Sequence, residues 1–358
     1  MKYAYNSREI RPWAEYSPYQ TYSYFGGIST DRYYNDPHAA AQAYRIGSQR
    51  IRDYFGDLLP VRGPHPFPFS YAHLVCVGGK YEMPENSEPN VRPFAADIDE
   101  AITILKEKKG VDFRSEPLIR HYINFNDELR RELQDFDIPF YGPNPQGPFT
   151  SAMLMRGQDF IFDLIDHPDK AKEMLSLMTD SIIEYRRFMA EMNGLPFPDP
   201  DGSQILEGMP PIYPFGPTLM DDFASLVSPD MWPEFILPFW NRIYQSVTTG
   251  PHRFLHCEDM SPAHLKYLKD AGITYYQPSV SDKLSPETIK AATDVEFDWL
   301  LYSYRVVNMS DQQIQEWVDI VVESGVRIIR TQFGTHTLRN GKMDRILAFY
   351  KAFEKYRV

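Results

Sequence analysis

The sequence predicts a single (β/α)₈ barrel, and three observations lead to this prediction. The chain has 358 residues, which is long for most compact domains but usual for an α/β barrel. Hydrophobic residues make up 43% of it and aromatic residues 15%, so one large core can form. In the C-terminal third, apolar segments alternate with amphipathic segments of about ten to fifteen residues, which is the pattern of βαβ units in a parallel sheet.

The C-terminal third shows this alternation most clearly. The apolar segments there are predicted strands: residues 252–258, 273–279, 295–303 and 326–333. Between the predicted strands, a serine followed by proline or aspartate matches the start of a helix. This pattern occurs at residues 261–262, 285–286 and 310–311. A closing amphipathic helix is predicted over residues 341–356. Together these segments form four consecutive βα units.

The pattern upstream is less regular, but it supplies the remaining elements of a barrel. Helices are predicted over residues 91–110, 160–194 and 228–250. Strands are predicted between them, over residues 70–79, 146–154 and 205–215. The total is close to what a (β/α)₈ barrel needs, and we place its domain at residues 66–358.

Residues 1–65 are predicted to be an N-terminal extension that packs on the barrel. The segment is dense in Tyr and Pro and precedes the first clear strand pattern. Its first 60 or so residues hold a single histidine, His38, and we expect them to form a lid or an oligomer contact without supplying a catalytic group. The sequence leaves open whether the protein forms a homodimer.

Charge and composition narrow the class of partner. A formal net charge of −12 works against nucleic acid or an anionic membrane surface as the partner, which leaves a small molecule as the substrate. The N-terminus lacks an apolar signal region, and no stretch reaches the roughly 18 apolar residues of a membrane span. The two cysteines are too few for a disulfide scaffold. A cytoplasmic location is therefore expected.

The segment RFLHCEDM, residues 253–260, contains the first candidate site. Side chains alternate faces along a strand, so His256 and Glu258 share one face and Cys257 packs on the other. The C-terminal end of a barrel strand lies at the active-site mouth. An imidazole and a carboxylate at that point suit a zinc ion with an open coordination position. The alternative is a hydrogen-bonded His–Glu couple without a metal.

A zinc site needs a third protein ligand, for which His336 is the choice. It follows the predicted strand 326–333 and should lie at the same mouth. By contrast, His252 lies at the opposite end of its strand, and His264 lies on a helix that leads away. The predicted metal set is therefore His256, Glu258 and His336.

Several stretches resemble the uroporphyrinogen decarboxylase superfamily, which includes corrinoid-dependent methyltransferases and O-demethylases. The matching stretches are residues 147–157, 221–240, 254–278 and 333–353. The resemblance implies a single (β/α)₈ barrel with its site at the C-terminal mouth. In the methyltransferase branch, a His-x-Cys-Gly strand and a later cysteine bind zinc. His256 matches that histidine, Glu258 falls on the cysteine position, and His336 falls near the later ligand. Oxygen and nitrogen in place of thiolates would make the metal a harder Lewis acid.

The decarboxylase branch of the superfamily fits less well. Its members carry an arginine-rich N-terminal segment and an aspartate near the first strand. This chain has neither, and the acids nearest to the aspartate position are Glu82 and Glu85. A smaller anion remains an alternative substrate, with these candidate arginines: Arg62, Arg92 and Arg156.

The function expected from these residues is metal-dependent methyl transfer or demethylation of a small methylated substrate, with a corrinoid carried by a partner protein. Asp221 or Asp222 would donate or accept a proton, with helix capping as the alternative. The substrate would be oriented by residues near strand ends: Tyr276, Gln277, Tyr302 and Gln332. Two other functions remain open. One is a metal-free decarboxylase or lyase acting on a small carboxylic acid, and the other is a non-catalytic barrel that binds a corrinoid or tetrapyrrole.

Overall fold

The structure is a computed structural model that describes residues 2–64, 72–82, 90–134, 145–200, 218–279 and 281–358. The predicted strand over residues 205–215 and the acid Glu85 lie outside the described residues.

A mostly parallel sheet organises the described chain. Its strands are β1 (Tyr3–Tyr5), β2 (Arg8–Tyr16), β5 (Thr218–Met220), β6 (Phe254–His256), β7 (Tyr275–Gln277), β8 (Glu296–Leu301) and β9 (Ile328–Phe333), and a separate hairpin pairs β3 (Tyr81–Glu82) with β4 (Asn90–Val91). The order in the sheet is β1-β2-β9-β8-β7-β6-β5. Only β1 runs antiparallel to its neighbour in this sheet, so β2 and β5 to β9 form one parallel array in the described chain.

Helices occupy much of the remaining described chain. They are α1 (Pro18–Gly26), α2 (Thr30–Asn35), α3 (Pro37–Phe55), α4 (Ala72–Cys76), α5 (Ile98–Glu107), α6 (Pro117–Glu132), α7 (Pro148–Arg156), α8 (Phe160–Asp166), α9 (Pro168–Met192), α10 (Trp232–Phe235), α11 (Leu237–Val247), α12 (Tyr267–Asp270), α13 (Pro286–Ala292), α14 (Ser303–Val306), α15 (Asp311–Glu323), α16 (Thr335–Arg339) and α17 (Asp344–Lys351). Short 3₁₀ helices lie at Gly56–Leu58, Phe113–Ser115, Asp222–Leu226, Pro229–Met231 and Glu354–Tyr356. None of the described helices is both long and apolar enough to cross a membrane.

The C-terminal third has the strand order that its sequence pattern predicts, but the helix expected to start at Ser261 and Pro262 begins only at Tyr267. Strands β6 to β9 are each followed by helix before the next strand or the chain end. The helix α15 shows why: Ser310 and Gln313 form a capping box at its start, and its buried positions recur every three or four residues. The parallel α/β class is confirmed. Closure of the sheet into a barrel is not seen among the described residues and stays a prediction.

Two predicted strands are helices instead. Residues 70–79 were expected to form a strand, but residues 72–76 form α4. The segment 146–154 was also expected to be extended, but α7 begins at Pro148, directly after Gly147. Residues 148–153 are all buried, and a short apolar run buried on every side has no periodicity that distinguishes strand from helix.

The N-terminal segment contributes a strand to the main sheet, which the sequence reading did not anticipate. Strand β2 pairs in parallel with β9, from Arg11 opposite Ile328 to Tyr16 opposite Phe333. The segment REIRPWAEY mixes charges and a proline with its apolar residues, so it lacks the appearance of an inner strand. The pairing brings the start of the chain against its last strand.

Candidate functional site

A connected row of polar side chains crosses the sheet from β2 to β6. Its members, which we call the polar layer, are Glu15, Gln332, Arg330, Asp298, Gln277 and His256. They come from β2, β9, β8, β7 and β6, which are neighbours in the sheet. Parallel pairing therefore brings together residues that are far apart in sequence.

Arg330 is the central charge of the polar layer. It is 1% exposed and lies between two carboxylates, with its Nη1 donating to Glu15 Oε2 at 2.6 Å and its Nε 2.8 Å from Asp298 Oδ1. The second distance fits an ion pair but not the geometry of a hydrogen bond. Burial disfavours the charged guanidinium, but Asp298 and Glu15 outweigh it and hold the pKa of Arg330 above its ordinary value. Arg330 therefore stays charged inside the fold.

Asp298 connects this charge to the next strand. It is fully buried, and its Oδ2 accepts hydrogen bonds from Tyr275 Oη at 2.7 Å and Gln277 Nε2 at 3.2 Å. Burial raises the pKa of Asp298, while the guanidinium of Arg330 opposes that rise. Because the amide nitrogen of Gln277 is used here, its carbonyl oxygen is left to face β6.

The Gln277 amide sets the tautomer of His256. The Gln277 Oε1 lies 2.7 Å from His256 Nδ1, and an amide oxygen can only accept, so Nδ1 carries the proton. Whenever the ring is neutral, its lone pair is therefore on Nε2. His256 is half-buried at the C-terminal end of β6.

Two carboxylates flank the Nε2 of His256. Asp222 Oδ1 lies 3.5 Å from it and Glu258 Oε1 lies 3.8 Å from it. The same Asp222 oxygen accepts the backbone N–H of Glu258 at 3.0 Å, which fixes the loop after β6. The arrangement can accept a proton at Nε2 and stabilise the imidazolium that forms.

The predicted zinc set is not assembled in the described residues. Among them, no three His, Cys, Asp or Glu side chains are arranged to hold a metal ion. His336 is exposed on α16, and its ring lies 6.4 Å from the ring of Tyr304. The donor arrangement around His256 therefore does not fit a three-ligand site, and the zinc assignment stays a prediction from the sequence.

Asp221 serves as a helix cap for a distant segment. Its Oδ1 accepts the backbone N–H of Thr150 at 2.6 Å, and its Oδ2 accepts the indole N–H of Trp240 at 2.7 Å. It is fully buried, and burial raises its pKa to about 6 despite these hydrogen bonds. The structure thus favours the capping alternative for Asp221, although the capped helix is α7 and not the one that follows it. Asp222 is the member of the pair that faces the mouth.

Other candidates divide between core and mouth. Tyr276 is fully buried and donates to the backbone oxygen of Cys257 at 3.0 Å, so the structure places it in the core. Cys257 is also fully buried, with its thiol donating to the backbone oxygen of Asp221. Tyr302 and Gln332 lie at the mouth, where they line a cavity.

This mouth cavity has a volume of about 470 Å³. It is lined by Glu15, Tyr16, Ser17, Gln20, Arg62, Tyr302, Ser303, Gln332, Phe333, Gly334 and His336. Glu15 and Gln332 belong to the polar layer that ends at His256. Burial, and next to it the charge of Glu258, raises the pKa of Tyr302. The polar layer therefore links this cavity to His256.

Sequence reasoning missed three members of the polar layer, namely Glu15, Asp298 and Arg330. The signal that pointed to them was a charge inside an apolar strand segment, as in VEFDWLL and VRIIRTQF. A buried charge must be paired, so each such residue implied a partner on another strand.

Comparison with known proteins adds a likeness of fold. The elements and the polar layer define the class as a parallel, barrel-like α/β protein with a polar site at the C-terminal strand ends. The chain is similar in structure to a methyltransferase from Methanosarcina mazei, with a TM-score of 0.65 and 17% sequence identity over 97% of this chain and 94% of that chain. Neither a protein-family model nor a curated protein sequence matches it. At this identity the likeness establishes the fold alone.

Proposed function

We propose that the protein is an enzyme that moves a methyl group between a small substrate and a corrinoid carried by a partner protein. The observation that carries the proposal is His256, whose tautomer is set by Gln277 and whose Nε2 lies beside Asp222 and Glu258 at the C-terminal end of β6. The structural likeness to a methyltransferase along 97% of the chain supports this reaction class.

His256 acts as the proton acceptor in this proposal. When a thiol, hydroxyl or amine receives a methyl group, its proton passes to Nε2 as the new bond to carbon forms. Gln277 keeps the ring in the required tautomer through its 2.7 Å contact with Nδ1. Asp222 and Glu258 stabilise the imidazolium from 3.5 and 3.8 Å. In the reverse direction, the same nitrogen returns the proton to the demethylated product.

The corrinoid would supply or accept the methyl group while it is bound to its partner protein. The mouth cavity, about 470 Å³, is within the size range of small-molecule sites. A corrinoid with its nucleotide tail is too large for it. The partner would therefore present the corrinoid from outside the mouth, above the small substrate.

Zinc remains a separate proposal from the sequence. The expected ligands were His256, Glu258 and His336, and the described residues do not bring them together as one site. No step above depends on a metal. Elemental analysis of the purified protein tests the zinc proposal independently of the methyl-transfer proposal.

The variant His256→Gln tests the proposed function. Glutamine keeps a polar group of similar size next to Gln277 but cannot accept the proton, so the rate of methyl transfer should fall by about 10²-fold or more. The rate would be measured with free methylcobalamin and a panel of small thiols, amines and alcohols, by the change in corrinoid absorbance.

His252→Gln is the matched control, because His252 lies at the opposite end of the same strand segment. It should react at the wild-type rate. A His256→Gln protein that is folded and as fast as wild type would contradict the proposed role of His256. If the wild type moves no methyl group to any acceptor, methyl transfer itself is wrong.

A metal-free decarboxylase or lyase is the second candidate function. It is favoured by one observation: the described donors around His256 form a hydrogen-bonded cluster and not a three-ligand metal site. Release of carbon dioxide from a small carboxylic acid, without any change in a corrinoid spectrum, would select this candidate.

A further inference from the structure

Arg62 is the one of the three candidate arginines that lines the mouth cavity without an acidic partner among the described residues. Arg92 is exposed and pairs with Glu82 at 2.8 Å. Arg156 pairs with Asp163 at 3.0 Å. No ion pair or hydrogen bond to a carboxylate satisfies the guanidinium of Arg62 in the described chain. An arginine in this position is suited to bind an anion from solution.

The position of Arg62 is set in advance of any ligand. Its Nη1 donates to the backbone oxygen of Tyr16 at 2.7 Å, and its guanidinium carbon lies 5.9 Å from the centre of the Tyr16 ring. Its backbone N–H donates to the Tyr16 hydroxyl at 2.6 Å. Its Nε is buried and has no hydrogen-bond partner among the described residues. A cation whose position is fixed in this way loses little entropy when it binds an anion.

The rest of the cavity lining does not compete for Arg62. Among the described lining residues Glu15 is the one acid, and its carboxylate already accepts from Arg330 at 2.6 Å and from Gln332 at 3.0 Å. The remaining polar lining groups are neutral hydroxyls and amides or the imidazole of His336. Arg62 is therefore the one arginine or lysine among the described lining residues, and its guanidinium is the group there that suits an anion.

We propose that Arg62 binds the carboxylate of the substrate in the mouth cavity, so that the substrate class is a small carboxylic acid. This inference rests on the proposed function, because it places the reacting group of the same molecule toward His256. Tyr302 lines the same cavity as Arg62, and Glu15 and Gln332 of the polar layer that leads to His256 line it as well. The N-terminal segment, which was expected to supply only a lid or an oligomer contact, then supplies substrate recognition.

Binding of methoxyacetate and of its uncharged analogue methoxyacetamide tests the carboxylate subsite. The two probes have nearly the same shape, and only one carries a carboxylate. Ligand-observed NMR should show that the wild type binds methoxyacetate at least about tenfold more tightly than the amide, since a charge-assisted hydrogen bond contributes that much or more. In Arg62→Gln this preference should disappear.

Arg131→Gln is the control, because it removes an equal charge from an exposed position of α6 outside the cavity. It should keep the wild-type preference. Equal binding of the two probes by the wild type, or an unchanged preference in folded Arg62→Gln, would overturn the inference. If Arg62→Gln does not fold by circular dichroism, the wild-type comparison decides, and Arg62→Lys should retain part of the preference.

The readout separates this inference from the proposed function. Equal binding of the acid and the amide by the wild type, with methyl transfer still observed, would contradict the carboxylate subsite and leave methyl transfer untouched. A clear preference of the wild type for the acid, with no methyl transfer to or from any molecule tested, would support the subsite and contradict methyl transfer.

Discussion

At the scale of single residues, the side-chain amide of Gln277 determines which nitrogen of His256 carries the proton. Its nitrogen donates to Asp298 at 3.2 Å, so its oxygen must face His256 Nδ1 at 2.7 Å. The orientation of that amide depends in turn on Asp298 being held beside Arg330. One buried ion pair thus orients the imidazole of His256, the proposed proton acceptor, two strands away.

The variant Gln277→Leu should keep the His256 imidazole but remove the contact that sets its tautomer. The leucine cannot accept from Nδ1, so His256 should become a mixture of tautomers, and the rate constant kcat should fall about tenfold while KM changes little. Ring ¹⁵N chemical shifts would report the tautomer directly. Gln312→Leu, an exposed change on α15, is the control. A single unchanged His256 tautomer in Gln277→Leu would show that Gln277 does not set it.

At the scale of secondary-structure elements, the start of α7 depends on a side chain from the segment after β5. Asp221 binds the first backbone N–H groups of α7, which otherwise lack partners. A Cβ on Gly147 would lie 2.3 Å from the Asp221 Cγ, so only glycine leaves room for this carboxylate. The contact joins two elements that are about seventy residues apart in the chain.

The variant Asp221→Asn should destabilise the protein in a pH-dependent way. At neutral pH the free energy of unfolding should fall by about 1–3 kcal/mol. The asparagine amide would point an N–H group of its own at the backbone and indole N–H donors that the carboxylate of Asp221 accepts. Burial raises the folded-state pKa of Asp221 from 3.8 to about 6, so the folded protein holds this proton more tightly than the unfolded chain. The resulting stabilisation of the folded protein is complete below pH 3.8 and is lost as the pH rises through about 6.

The difference in free energy of unfolding between wild type and Asp221→Asn should therefore be larger at pH ~4.5 than at pH ~7. Urea unfolding at both pH values measures it. Asp222→Asn, a change at the partly exposed neighbour, should cause a smaller loss at both. An advantage that grows as the pH rises would contradict the raised pKa of Asp221.

At the scale of the whole molecule, the two ends of the chain meet in one sheet. Strand β2 pairs with β9, and Glu15 on β2 neutralises Arg330 on β9. The tyrosines of the N-terminal segment are largely buried, among them Tyr22 and Tyr33 at 0% exposure. The segment is thus part of the same core and not a detachable cover.

Deletion of residues 2–17 should abolish cooperative folding. It removes β1 and β2, which exposes the edge of β9 and leaves Arg330 with one carboxylate fewer. Deletion of residues 2–7 is the matched control, because it removes only the outer strand β1. The shorter deletion should keep a cooperative thermal transition by circular dichroism. If the longer deletion also unfolds cooperatively near the wild-type temperature, β2 is not essential to the core.

The sequence by itself determined the strands of the C-terminal third of the fold and the face on which His256 lies. The four predicted strands from residue 252 onward are confirmed, because helix caps and apolar periodicity are local signals that neighbouring residues share. The predicted helices over 91–110 and 160–194 are confirmed for the same reason, although the second divides at Pro168. Strand alternation also placed Cys257 in the core, where it is fully buried.

Only the tertiary structure decided which residues meet. The sequence does not show that Asp298 and Arg330 form a pair that leads through Gln277 to His256, because their pairing depends on strand order and register. It also left Asp221 and Asp222 equivalent, whereas burial makes the first a cap and leaves the second at the mouth. Strand order and register decide which side chains meet across the sheet, and a local sequence pattern does not specify either of them.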